Sequence, residues 1–335
     1  MHFTAQGVIP PLPMRILLIK TSSLGDVVHN LPVVSDLRRR YPEAKIDWVV
    51  EEGFVDIPRL HPGIRRVIPV ALRRWRRSLL SPATWREIRS FRAMLQDESY
   101  DLAIDTQGLL KSALITRMAR GRRCGYTASS AREPLAARFY DARFEVPQDL
   151  HAVERNRRLA ALAGGYSAAS TLDYGIAAAP APSHQGIPLR ITPEGRYAVL
   201  LTATSRDDKL WPQERWIAVG RALHERGLKC QLPAGSATER ERAGRIAQVI
   251  PGAAVLPAMS LKELAGQLAA ARIVIGVDTG LVHLAAALGR PTLALFCASD
   301  PALTGLLATT PAINLGTRGR PPAVDDVLAA GLPLL

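Results

Sequence analysis

A chain of 335 residues with 47% hydrophobic and 22% charged side chains is long enough for two domains and apolar enough to fill both cores, which excludes an extended disordered protein. Lys and Arg number 43 against 30 Asp and Glu, a formal charge of +13, and an excess of that size calls for an anionic partner or surface. No apolar run reaches the ~18 uninterrupted residues of a membrane span. The first thirteen residues, MHFTAQGVIPPLP, have neither a basic start nor an apolar stretch, so they are read as a tail and no secretory signal is expected. Cys124, Cys230 and Cys297 lie far apart with no CxxC pair, which argues against a disulfide scaffold, a zinc site and a thiol redox motif.

In chain order, strands are expected at Arg15–Lys20, Ile46–Glu51, Val67–Ala71 and Asp101–Asp105. Helical patterns lie between them at Val27–Tyr41, Pro82–Gln96 and Leu110–Arg120, and an amphipathic stretch at Ala152–Ala163 closes the first half. Residues 175–195 are rich in Ala, Pro and Gly without a sustained period and read as an interdomain connection. The pattern then restarts with strands at Tyr197–Thr202, Lys229–Pro233, Ala254–Leu256, Ile273–Val277 and Thr292–Phe296. They alternate with helices at Pro212–Arg226, Glu239–Val249, Leu261–Ala271 and Leu281–Leu288. Strands alternating with helices predict parallel sheets covered on both faces. The fold class is therefore α/β, with two Rossmann-like domains (14–174 and 196–335) facing a cleft where ligands bind at the carboxyl ends of the strands.

The charge is unevenly spread. Residues 1–182 carry 27 basic and 18 acidic side chains, residues 183–335 carry 16 and 12, and the stretch 59–92 alone holds ten arginines with one acid, Glu87. A solvated helix face is the ordinary explanation of a charge run, but ten arginines with one counter-charge strain it.

Three loops could carry chemistry. Ile275-Gly276-Val277-Asp278-Thr279-Gly280-Leu281-Val282-His283 runs from a buried strand directly into an apolar helix, and free N–H groups at Thr279 and Gly280 would suit a phosphate. The plain alternative is a helix whose own Asp and Thr satisfy those donors. The loop from Thr202 to Pro212 brings Thr204, Ser205 and Lys209 to the same sheet edge, which suggests a diphosphate between the two loops. After the first strand, Lys20 to Pro32 contains Asp26, which is either an acid favoured in a first helical turn or a general base aimed into the cleft. GxGxxG and GxxxxGK[ST] are absent, and so is any Asp-x-Asp, so neither a dinucleotide nor a P-loop fold is supported and no catalytic metal or other cofactor is expected.

Eight segments occurring in order carry a resemblance: KTSSLGDVVHNLP, IDWVVEEGF, VIPVALRRWRR, IDTQGLLKSA, AREPLAARFY, HAVERNRRLA, TSRDDKLWP and GVDTGLVHLAAALGRP. The chain resembles the ADP-heptose transferases of lipopolysaccharide core synthesis from about Met14 to about residue 305. The IDWVVEEGF and RRWRR segments favour the branch that adds the first heptose; a transferase acting later in the core is the alternative. The resemblance implies a two-domain glycosyltransferase B fold and an inverting, metal-independent transfer of heptose from ADP-L-glycero-D-manno-heptose to Kdo2-lipid A. It implies Asp26 as the base and Lys209 as the group stabilising the departing ADP. Thr204, Ser205, Glu239, Met259, Asp278, Thr279, Gly280 and His283 fall at donor positions; Lys20, Arg73, Arg74, Arg76, Arg77 and Arg132 fall at positions that meet the anionic acceptor. The arginine stretch, with Trp75 and Trp85 interleaved, would also rest on an anionic inner-membrane surface, making the protein cytoplasmic and peripheral. Two readings compete: a nucleic-acid-binding protein, which would not need the paired loops of the second half, and a nucleotide-sugar epimerase, which has no use for a dense acceptor-side arginine patch. Neither nucleic acid nor a metal is expected as a partner.

Overall fold

The computed structural model describes residues 13–177, 197–204 and 206–335. Six strands form the first sheet: β1 (Arg15–Ile19), β2 (Lys45–Glu51), β3 (Ile64–Val70), β4 (Ser99–Asp105), β5 (Arg120–Tyr126) and β6 (Ala142–Phe144). Six more form the second: β7 (Tyr197–Leu201), β8 (Lys229–Leu232), β9 (Ala254–Val255), β10 (Ile273–Val277), β11 (Thr292–Leu295) and β12 (Ala312–Leu315). The first sheet runs β3-β2-β1-β4-β5-β6 and the second β9-β8-β7-β10-β11-β12, so both follow the order third, second, first, fourth, fifth, sixth. Every strand pair is parallel. That is the doubly wound order, and its switch point lies between the first and fourth strands, at β1/β4 and at β7/β10.

Sequence dictates the centre of each sheet. Ile16 to Ile19 and all five residues of β10 are buried, as expected of strands covered by helices on both faces. The first half differs from expectation in several elements: β6 and the short helices Asp56–Arg59 and Leu72–Trp75 were not expected, and two further differences have a clear physical reason. The helix expected over Val27–Tyr41 is two helices, Leu24–Val28 and Leu31–Arg40, the second with a proline in its first turn. β5 (RGRRCGY) was invisible as a strand because it has no apolar run; it pairs with β4 and carries its arginines at the sheet's flank. The expected 1–13 tail and 175–195 connection lie outside the described residues except for Pro13 and 175–177.

The domains meet through two helix starts. A Cβ at Gly280 would stand 2.5 Å from Leu24 Cγ and 2.8 Å from the Gly25 backbone nitrogen, and one at Gly25 would stand 3.3 Å from His283 Cδ2. Glycine at both positions therefore lets helices Leu24–Val28 and Gly280–Ala287 touch almost backbone to backbone. One apolar cluster continues across this contact, joining Ile16, Leu18 and Val27 of the first domain to Val282, Leu284 and Phe296 of the second. Polar links flank it: His29 Nε2 lies 3.1 Å from His283 Nδ1, His151 Nε2 lies 3.0 Å from the Gly305 carbonyl, and Tyr174 donates to the Leu307 carbonyl at 2.7 Å.

Candidate active site

Three cavities lie end to end along the cleft. A mostly apolar one of about 350 Å³ is lined by residues that include Leu201, Ala234, Glu239, Met259 and Leu281 of the second domain. The central one, about 420 Å³, contains Asp26, Arg73 and Arg132 from the first domain and Lys209, Asp278, Gly280 and His283 from the second. The third, about 400 Å³, is lined by Lys20, Arg132, Arg155, Tyr126 and Gln148 among others. Leu24, Thr204 and Thr279 line both of the first two, and Asp26, Arg132 and Thr304 line both of the last two, so the cavities form one trough.

On the first-domain side, the loop after β1 carries Asp26 into the first turn of helix Leu24–Val28. Its Oδ2 accepts from the Ser23 N–H at 2.9 Å and the Ser23 hydroxyl at 3.1 Å, while Oδ1 lies 3.6 Å from Arg132. The two sequence readings of Asp26 are thus compatible: one oxygen braces the helix start and the other lies toward the cavity. Burial pushes the carboxyl up, but Lys20, Arg132 and the Ser23 hydrogen bonds outweigh it and hold Asp26 below its ordinary value. Burial pulls the Lys20 ammonium down to about 8, against the attraction of Asp26. Lys20 Nζ donates to the Thr106 carbonyl at 2.9 Å and to Asn156 Oδ1 at 3.2 Å. The whole loop is clamped by Gln107, whose Oε1 accepts from the Thr21 N–H at 2.7 Å and the Thr21 hydroxyl at 2.8 Å.

On the second-domain side, Asp278 accepts from Lys209 Nζ at 2.5 Å and from the Ser299 hydroxyl at 2.6 Å, and His283 Nε2 lies 3.9 Å from its other oxygen. Burial raises the Asp278 pKa, yet these neighbours more than compensate and hold it far below the usual carboxylate range. With Asp278 so committed, the helix Gly280–Ala287 begins at Thr279 without a side-chain cap. Neither Asp278 nor Thr279 caps this helix start with its side chain, a geometry that suits an anion at its N–H groups. Thr204 donates to the Asp278 carbonyl at 3.2 Å and ties the two loops together. Glu239 spends Oε2 on the Gly235 and Ser236 N–H groups, at 2.7 and 3.1 Å, in a helix-capping role that the sequence reading had not given it, yet it still lines the apolar cavity beside Met259. Ser205 lies outside the described residues.

The arginine stretch is less uniform than its composition. Arg73 lines the central cavity, with its guanidinium 5.4 Å from the Phe54 ring centre. Arg74 is bound by Glu52 at 3.0 Å and Glu87 at 2.7 Å, and Arg65 and Arg66 are paired with the buried Asp47. Acids distant in sequence thus neutralise part of the local excess. The structure does not bring Arg74, Arg76 and Arg77 to Asp26: none of the three lines the central or the cationic cavity. Trp75 is no surface residue, being 7% exposed and donating to Glu87 at 2.8 Å. Sequence reasoning passed over Arg155, Asn156, Gln107 and Tyr126. The first two sit in the quoted HAVERNRRLA segment, but only the fold turns them toward the trough. Among the described residues no group of three or more His, Cys, Asp and Glu side chains is arranged to hold a metal ion.

With the trough defined, comparison with known proteins is informative. The model of glycosyltransferase family 9 (heptosyltransferase) matches residues 88–327. Lipopolysaccharide heptosyltransferase 1 of Escherichia coli K12 is 47% identical over 296 residues, 87% of this chain and 90% of that one. The solved structure of the E. coli heptosyltransferase WaaC with ADP superposes with a TM-score of 0.88 at 42% identity, covering 96% of this chain and 100% of that chain. Its structure with ADP-2-deoxy-2-fluoro heptose gives 0.81 at 42% identity, covering 96% and 98%.

Proposed function

The chain belongs to glycosyltransferase family 9, the heptosyltransferases, and from that premise we propose how its trough transfers heptose from ADP-heptose in lipopolysaccharide inner-core synthesis. The observation that carries the reading is the order of the three cavities: an apolar one, then one with Asp26, Lys209, Asp278 and the Thr279–Gly280 helix start, then one lined by Lys20, Arg132 and Arg155. Adenosine suits the first, where Met259 and Leu281 give apolar walls and Glu239 keeps one oxygen for a ribose hydroxyl. The diphosphate lies over the helix start at Thr279–Gly280, which attracts anions through its N–H groups and dipole. Lys209 has donors beyond the one given to Asp278 and stabilises charge as ADP departs, without a metal ion. Asp278 fixes Lys209 and presents the remainder of its acceptor capacity to a heptose hydroxyl.

The third cavity takes the acceptor, the Kdo region of Kdo2-lipid A, whose carboxylates match Lys20, Arg132 and Arg155. Its attacking hydroxyl loses a proton to Asp26 as the new glycosidic bond forms on the face opposite the departing phosphate, which inverts the anomeric carbon. Arg132 couples binding to basicity. It helps to hold Asp26 below its ordinary pKa; an acceptor carboxylate that engages Arg132 weakens that hold and makes Asp26 a better base. The protein works at the cytoplasmic face of the inner membrane, where a lipid-linked acceptor is displayed. Incubation with ADP-heptose and Kdo2-lipid A, with and without EDTA, tests this by mass spectrometry. A product heavier by one heptose in both is expected. No product with wild-type protein, or unchanged turnover in Asp26→Asn, would overturn it.

A further inference from the structure

The fully exposed Leu80 is the most anomalous apolar side chain of the protein. It stands in the turn between helices Leu72–Trp75 and Pro82–Gln96 beside Leu79, 49% exposed, and Trp85, 51% exposed, follows in the next turn of chain. Exposed leucines scattered singly need no explanation, but a contiguous apolar group of this size marks an interaction site. The group is also held in place. Ser81 N–H bonds to the Ser78 carbonyl at 3.0 Å, the Ser78 hydroxyl to the Arg74 carbonyl at 3.2 Å, and the Trp85 indole N–H to the Leu79 carbonyl at 2.8 Å. A hydrogen-bonded turn pays less ordering entropy on binding than a loose loop.

Charge surrounds it. Arg76 and Arg77 precede the turn, and Arg86, Arg89 and Arg92 follow it; all five are exposed and form no ion pair among the described residues. Trp85, Arg89 and Arg92 recur at i, i+4 and i+7, which puts them on one stripe of helix Pro82–Gln96. An apolar tip ringed by free arginines and followed by an interfacial tryptophan is complementary to an anionic bilayer: acyl region for leucine, headgroup level for tryptophan, phosphates for arginine. The tip also lies close to the cleft along the chain. Leu80 is seven residues from the cavity-lining Arg73, at most about 25 Å of chain.

We propose that Leu79 and Leu80 insert into an anionic phospholipid bilayer, with Trp85 at its interface and Arg76, Arg77, Arg86, Arg89 and Arg92 on its headgroups, so that the trough is held over its acceptor's own membrane. This rests on the reading of the acceptor as a membrane lipid and assigns the contact to particular residues. It also relocates the surface expected from the sequence, which had included the buried Trp75.

The test is co-sedimentation of the full chain with vesicles of phosphatidylethanolamine and phosphatidylglycerol, against phosphatidylcholine alone. Wild type should bind the anionic vesicles and lose binding as salt screens the arginines. Leu79→Ser with Leu80→Ser, both at exposed positions, should weaken binding at least about tenfold, since both side chains would leave the acyl region. Brominated acyl chains should quench wild-type fluorescence but not that of Trp85→Phe, because the other four tryptophans are buried. On a deacylated, water-soluble acceptor the double variant should keep wild-type turnover. Unchanged vesicle binding by the double variant overturns the proposal while leaving the heptose-transfer reading intact. A loss seen only when Kdo2-lipid A is in the vesicles also overturns it, by making the tip a site for the acceptor's own chains. Tip-dependent binding with no transfer to any Kdo acceptor would keep the membrane contact and refute the functional reading.

Discussion

The two sheets share one strand order, yet they put different chemistry at the ends of equivalent strands. Each fourth strand delivers an aspartate at its carboxyl end. Asp105, closing β4, is fully buried and accepts from the Tyr140 hydroxyl at 2.7 Å and from the N–H groups of Gln107 and Gly108 at 2.8 and 3.2 Å. Burial holds its pKa above the ordinary value. Asp278, just beyond β10, faces the central cavity and binds Lys209 and Ser299. The first acid props the turn carrying Gln107, and so the loop carrying Asp26; the second holds Lys209 in the central cavity, at the proposed diphosphate site. Topology chooses the position of an acid in this fold, but its hydrogen-bond partners decide whether it serves the scaffold or the ligand.

Substitutions can break that division of labour. Asp26→Asn should lower turnover by about 10²–10⁴ while ADP-heptose affinity, measured by calorimetry, changes only a few-fold. Asp105→Ala should instead act on stability, costing about 3 kcal/mol in a denaturant titration through its lost buried hydrogen bonds. If Asp105→Ala unfolds no more easily than wild type, the scaffold role is wrong. Next in size, Lys209→Ala should weaken the donor by roughly ten- to a hundredfold, as charge-assisted hydrogen bonds are worth about 1.5–3 kcal/mol. Its acceptor KM should stay near that of wild type.

A pair of glycines sharpens the contrast between the domain contact and an open helix face. Gly280→Ala drives a methyl group into Leu24 and the Gly25 backbone and should cost about 1–3 kcal/mol, with turnover falling further than stability alone explains. Gly244→Ala, in helix Ala237–Ala247 with no atom within 4 Å of its new Cβ, should stabilise by about 0.5–1 kcal/mol. Melting temperatures moving in the same direction would show that the contact does not bear on the fold. The smallest effect is in pH. The Lys20 ammonium, lowered to about 8 by burial, is charged below that pH and loses its charge above it. Acceptor KM should therefore rise as pH passes through about 8, while donor affinity, whose residues lie in the other domain, should show no such inflection. A donor curve tracking the acceptor curve would remove Lys20 from the acceptor side.

Much of this was legible before any coordinates. Strands built of buried β-branched and aliphatic residues, such as RILLI and IVIGV, announce themselves because a sheet covered on both faces demands continuous apolar runs. The loops containing Asp26, Lys209 and Asp278 follow directly from those strands, so their meeting at one cleft could be foreseen. What escaped lacked a local signal. β5 is held as a strand by pairing with β4 and not by its own composition, which is basic. The ion pairs that disarm Arg65, Arg66 and Arg74 come from Asp47, Glu98 and Glu52, residues that only the fold makes neighbours. Arg155 and Asn156 lie in a stretch the sequence shows as an amphipathic helix, but nothing local says that they face the trough.

The glycine-to-glycine contact has a consequence for how this enzyme can be wasteful. Asp26 is one residue from Gly25, and the proposed phosphate site begins at Gly280, so the proposed base and leaving-group site are joined at the point where the domains touch. On the proposed reading, parting the two domains at this contact would separate Asp26 from the donor before disturbing either site. ADP-heptose held by the second domain alone would then have no base beside its anomeric carbon, and an activated sugar would be spared attack by water until its acceptor brought the domains together.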